Sequence, residues 1–183
     1  MKANHKIIVF GTSHPLQCGT IKHSDEQINA FRNRIVDICK FENVKCIFEE
    51  MSCEGLANHN VNNTIAFEIA NDRDIKHSYI DLTPEQRTCF GVSDGQIVGI
   101  AMNQESNAQK NEIRQLLTKK LLDPIRERYW LVNILENNMW PTLFICGSDH
   151  GQAMQDLINS IGYGPILSWE KYCPEKIVRP YVN

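Results

Sequence analysis

The feature that most constrains this chain is an alternation of short apolar runs with longer segments of helical periodicity. Lys6–Phe10, Val44–Phe48 and Thr142–Cys146 are apolar stretches bounded by turn residues, too short for helices. They read as strands of a covered sheet. His77–Leu82 reads as another strand. Between them, Ser24 and Gln27 make a capping box ahead of Ile28, Phe31, Ile35 and Ile38 on one helical face. Asn60–Ala70 is expected to be helical, with Ile65 and Ile69 inward. Thr83-Pro84 and Asp123-Pro124 each open a helix by cap-then-proline logic. Ile113, Leu116, Leu117 and Leu121 mark one more helix. A last helix runs from Asp149, burying Met154, Leu157, Ile158 and Ile161 and stopping at Gly162. Pro165–Trp169 fits an edge strand, where a missing N–H is tolerated. Strands separated by helices of this length cannot be hairpin partners. The expectation is an α/β fold, a three-layer α/β/α arrangement around a mostly parallel central sheet. The 183 residues hold no linker that would divide it, so residues 1–183 read as a single α/β domain. Only residues 91–111 lack periodicity, which makes them the candidate lid.

Charge and cysteine usage narrow the partners. A net charge of −3 leaves no electrostatic footprint for nucleic acid. The run Lys119, Lys120, Arg126 and Arg128, interrupted by Asp123 and Glu127, reads as a solvated helix face. No apolar run approaches the roughly 20 residues a membrane helix needs, so no membrane partner is expected. The seven cysteines are odd in number and lack a Cys-x-x-Cys pair, and no secretory signal pattern stands out. Reduced thiols and a cytoplasmic location are the expectation. Cys39, Cys46 and Cys146 serve as small hydrophobes within apolar segments. Trp130, Trp140 and Trp169 could form an interaction surface, but core packing explains them as readily.

Two segments share one plan. Lys6–Phe10 runs into Gly11-Thr12-Ser13-His14, and Thr142–Cys146 into Gly147-Ser148-Asp149-His150. Glycine permits a turn at the carboxyl end of each strand and delivers a histidine above the edge where open α/β sheets bind ligands. His150 then lies near a helix N-terminus, whose field favours a neutral ring suited to metal binding or proton abstraction. Gly151 allows close approach of a ligand to the backbone. His14 precedes Pro15 and is expected to be extended. Glu49 and Glu50 end the second strand at the same edge, followed by Glu54 in a loop. Adjacent strand residues point to opposite faces, so at most one of the pair enters the crevice, and sequence does not say which. A carboxylate beside two imidazoles makes either a general-base arrangement or a His/His/Glu metal site. Of the nearby arginines, Arg126 reads as part of a solvated helix start. A Cys18–His14 nucleophile pair requires a proximity that sequence cannot show. His5, His23, His59 and His77 read as surface residues. Ser13 and Ser148 lack the Gly-x-Ser-x-Gly elbow of a serine hydrolase.

Taken in order, Gly11-Thr-Ser-His14, Glu49-Glu50, Glu127-Arg128 and Gly147-Ser-Asp-His150 resemble the superfamily of erythromycin-esterase-like, ChaN-like and TraB/Tiki proteins. The resemblance implies a three-layer α/β fold with a hydrolase-like site, metal-dependent in some branches and metal-free in others. It makes His14 and His150 ligands or acid/base groups, Glu49 or Glu50 their carboxylate, and Arg128 the anchoring cation. The chain is short beside that family, with little room for an inserted helical lid, which leaves the substrate class open between a small molecule and a peptide. The expected function is a small hydrolase, possible with a divalent metal (manganese, zinc or cobalt) on His14, His150 and Glu50. A metal-bound water would then be the nucleophile, with the glutamate as its base. The alternative is a ligand-binding or signalling module, holding an anion against the backbone at Gly11, Gly147 and Gly151.

Overall fold

A computed structural model of the chain describes residues 5–20, 22–91, 106–162 and 167–172, with positions 97, 99, 100 and 102. Its strands are β1 (Ile7–Thr12), β2 (Cys46–Glu49), β3 (Lys76–Tyr79), β4 (Thr142–Gly147) and β5 (Leu167–Lys171). They form one sheet in the order β3-β2-β4-β1-β5, and every neighbouring pair is parallel. The fold is α/β.

Connectivity dictates the layers. From β1 the chain passes through the Asp25–Phe41 helix to β2, and through the Cys53–Asn58 and Ile65–Asp72 helices to β3. It then reverses direction, reaching β4 by way of the Asp123–Asn137 helix and β5 by way of the Gly151–Ser160 helix. Right-handed crossovers that move in opposite directions must use opposite faces of a sheet. Strand alternation supplies both faces. Ile8, Phe10, Ile47, Leu143 and Ile145 pack against Phe31, Ile35, Ile65 and Ile69. Ile7, Val9, Phe48, Phe144 and Cys146 pack against Trp130, Ile134, Met154 and Ile158. Trp130 therefore belongs to the core. β1 and β4 lie side by side, yet their chains depart in opposite directions onto opposite faces. A crevice opens at the carboxyl ends of such a strand pair.

Several local expectations are revised. Gly11 does not turn the chain: it is extended within β1, paired with Cys146 of β4. His14 is not extended but opens a helical turn, His14–Gln17, with Ser13 extended before it. Proline is tolerated at Pro15 because the first helical turn has no intrahelical use for its N–H. The helix expected from Asn60 begins at Ile65. Asn60 adopts φ 55°, and Thr64 provides the cap, accepting from Phe67 N at 3.1 Å. The Cys53–Asn58 helix was not anticipated; Ser52 starts it by accepting from Gly55 N at 3.1 Å. The Asn107–Leu117 helix has no buried residue, and Leu116 and Leu121 are exposed. A π-helical turn, Thr118–Leu122, joins it to the Asp123–Asn137 helix. Ten of the 21 residues of the candidate lid at 91–111 and the start of the edge strand at Pro165 lie outside the described residues, as does the side chain of Trp169. Among the described residues, no helix is long and apolar enough to cross a membrane.

Candidate active site

Three neighbouring strands deliver the site. β1 ends at Thr12 and β4 at Gly147, opposite one another in register. Ser148 N donates to Thr12 O at 2.8 Å, so the two outgoing loops start side by side. His14 follows from the first loop, and His150 caps the Gly151–Ser160 helix from the second. From the other side of β4, Glu50 continues the ladder one residue past β2, its N–H donating to Ile145 O at 2.8 Å.

Glu50 is the centre, with a side chain only 1% exposed. Its Oε1 lies 3.5 Å from His14 Nε2 and 3.6 Å from His150 Nε2. The same oxygen accepts from an Arg126 guanidinium nitrogen at 2.5 Å, and Oε2 accepts from Gly147 N at 2.6 Å. Arg126 is held in turn by Asp81, with Nε to Oδ1 at 2.9 Å and a second bond to Oδ2 at 3.0 Å. Trp130 Nε1 and Arg87 also donate to Asp81, at 3.2 Å and 2.9 Å. His150 Nδ1 meets Glu127 Oε1 at 2.8 Å, and the Trp130 ring meets the imidazole edge-on at 5.0 Å between centroids. A Cβ on Gly147 would come within 3.3 Å of Glu50 Oε2 and 3.4 Å of His150 Cδ2. The glycine is thus needed for close approach rather than for a turn.

Mutual charge sets the titration of these groups. Burial alone would push the Glu50 carboxyl up, but His14, Arg126 and His150 together hold it well below the usual carboxylate range. Burial would lower His14, yet the facing Glu50 outweighs it and raises the imidazole above its ordinary value. His150 is raised against the same burial, first by its bond to Glu127 and then by Glu50. Burial opposes the charge on Arg126, and Glu50 and Asp81 more than restore it.

Of the residues singled out in sequence, His14, His150, Glu50 and Gly147 come together. Glu49 does not. Its carboxylate turns to the opposite face, meets the His77 ring at 2.7 Å and accepts from the Thr64 hydroxyl. His77, expected at the surface, is buried with it. Arg128 does not anchor the site either: it is exposed and donates to Pro124 O at 2.7 Å. Residues two apart on a helix point about 200° away from each other, so only one of Arg126 and Arg128 can face the crevice. Gly11 lies within the ladder, and Gly151 is buried in the first turn of its helix. The Cys18 thiol is pushed up to about 11 by burial and then by Glu49, so it is protonated at neutral pH and unsuited to nucleophilic attack. The described cysteines are all free. Asp81 and the Glu127–His150 contact were missed in sequence. The signal for Asp81 was available: it follows β3 at the edge where Glu50 follows β2.

A cavity of about 270 Å³ is lined by His14, Glu50, Asp81 and Arg126 together with Glu54, Gly55 and Asn58 of the Cys53–Asn58 helix. His150 stands behind and does not line it. Among the described residues, no group of three or more His, Cys, Asp or Glu is placed to hold a metal ion. The Glu50 oxygen that faces both imidazoles already carries a guanidinium, so a dication there would sit against a fixed positive charge. Comparison of the chain with protein-family models, with curated proteins and with solved structures found no match.

Proposed function

We propose that the chain is a small, metal-free hydrolase acting on acyl esters, with His14 as its general base. The observation that carries this reading is the imidazole of His14 at the cavity wall, facing a buried carboxylate that Arg126 and Gly147 keep ionised. Such a carboxylate stabilises the imidazolium that forms when Nε2 takes a proton, and so raises the basicity of the ring without competing for that proton. In the reaction His14 takes a proton from water as the water oxygen bonds to the acyl carbon. The tetrahedral adduct then expels the alkoxide, which receives that proton from His14. One ester and one water become one acid and one alcohol. The fixed positive charge of Arg126, which lines the cavity, favours the negative charge that develops on the acyl oxygen. The order of the Gly-x-x-His motifs, glutamate and Glu-Arg pair supports the same reading through its family resemblance. The ligand-binding alternative loses one of its donors, because the Gly147 N–H that would receive an anion is engaged by Glu50.

The test is a panel of short-chain acyl esters presented to purified protein in the presence of a chelator. Turnover is expected, and it should fall about 10²–10⁴-fold in His14→Ala with circular dichroism unchanged. Turnover that needs manganese, zinc or cobalt would replace this reading with a metal-assisted one. Ligand retention with no turnover of any ester would leave the binding module.

A further inference from the structure

The cavity that His14 lines is also lined by the Cys53–Asn58 helix, which presents Glu54 and Asn58 to the same space. Residues four apart share a helix face, so the two side chains stand one above the other. Among the described residues neither has an ion-pair or side-chain hydrogen-bond partner, and both are exposed. The guanidiniums on the wall are differently placed. Arg126 is bound to Glu50, Asp81 and Asp123, and Arg87 to Asp81. Among the described residues, the lining carboxylates Glu50, Glu54 and Asp81 exceed the guanidiniums Arg87 and Arg126 by one. With His14 neutral, as the proposed step requires, the lining carries net negative charge. Burial holds the His59 imidazole, also on the lining, below its ordinary value, which disfavours a cation there. An incoming anion would meet carboxylates whose guanidinium partners are already engaged. An incoming cation would meet Glu54 unpaired.

Size adds a second restriction. At about 270 Å³ the cavity is small, below the range of roughly 300–1,000 Å³ typical of sites for drug-sized ligands. Resting on the hydrolase reading, the geometry points to a small cationic substrate: an acyl ester bearing an ammonium group that Glu54 pairs and Asn58 flanks while its carbonyl lies at His14.

Three acetate esters of similar size test this. One is the ester of choline. The second is its neutral isostere, in which tert-butyl replaces trimethylammonium. The third is the ester of hydroxypropionate, which is anionic. The expected kcat/KM order is cation, neutral, anion, with the cation favoured over the neutral ester by about tenfold, the effect of one unpaired charge at a partly solvated site. Glu54→Gln should bring that ratio close to one, and Glu54→Lys should invert it. Glu136→Gln, which removes an exposed charge from the far end of the Asp123–Asn137 helix, should leave the ratio as it is. Equal or better turnover of the neutral or anionic ester overturns the cation assignment while the hydrolase reading stands. If no ester is turned over, direct titration with choline separates the two readings. Choline binding weakened by Glu54→Gln upholds the cation site and removes the hydrolase, whereas no choline binding overturns the cation site as well.

Discussion

Arg126 has three acidic partners, Glu50, Asp81 and Asp123, and stacks over the Trp130 ring at 4.8 Å. Removing one member of a buried ion-pair network leaves the others desolvated and uncompensated, at a cost of about 3–5 kcal/mol. Arg128 is exposed, and among the described residues its side chain donates only to the Pro124 carbonyl. Arg126→Met should therefore lower the free energy of unfolding by about 3–5 kcal/mol, and Arg128→Met should change it by no more than about 0.5 kcal/mol. Urea titration of the two variants checks both values, and equal effects would contradict the placement of Arg126. Residues of this kind are hard to read in sequence. Arg126-Glu127-Arg128 is a string of charges on a helix start, and which of them turns inward depends on how the helix rotates against the sheet. The register that places Glu50 rather than Glu49 in the crevice is similar, since period-two alternation establishes only that the pair must diverge.

Helices of this chain differ sharply in what they bury. The Asp123–Asn137 helix sends Trp130, Leu131 and Ile134 into the core, with Trp130 and Ile134 fully covered. The Asn107–Leu117 helix buries nothing among the described residues, and its capping box at Ser106 is its main local support. Ile134→Ala should cost about 2–5 kcal/mol by loss of burial and creation of a cavity. Leu116→Ala, at an exposed position, should cost no more than about 0.5 kcal/mol. Native-state hydrogen exchange should show the same contrast, with amides of Asn107–Leu117 opening at low free energy and those of Asp123–Asn137 only near global unfolding. Comparable protection in both helices would mean that the Asn107–Leu117 face is covered. Periodicity located both elements in sequence, because apolar spacing marks a face. It misjudged Ile161, expected to be buried by the last helix but 45% exposed just past its end, because spacing does not say whether anything packs on a face.

At the scale of the molecule, the site sets stability and activity against each other. Glu50 is depressed below 4.5, so its stabilising contribution is present above that pH and is lost as pH falls through the folded value. His14 and His150 are raised above 6.5, so their contributions are complete below 6.5 and disappear as pH rises through their folded values. With all three acting, unfolding free energy should peak between pH 4.5 and 6.5. His14 is 39% exposed, so its share is screened by solvent. Hydrolysis needs His14 neutral, so the rate should rise with pH through the raised His14 value and be greatest above pH 6.5, on the falling side of the stability curve. Urea midpoints and kcat/KM measured from pH 4 to 9 would show the two maxima apart, and coincident maxima would contradict these roles. The sequence by itself determined the α/β class, the approximate places of the strands and a histidine shortly after two of them, because periodicity and chain direction are local properties. Tertiary structure alone decided that β4 lies between β1 and β2, and with it that Glu50 reaches both imidazoles across β4. It also decided that Arg126 locks that carboxylate and that Asp81 holds the arginine. These contacts join residues far apart in the chain, and their partners are chosen by strand order and helix rotation, which no local pattern encodes.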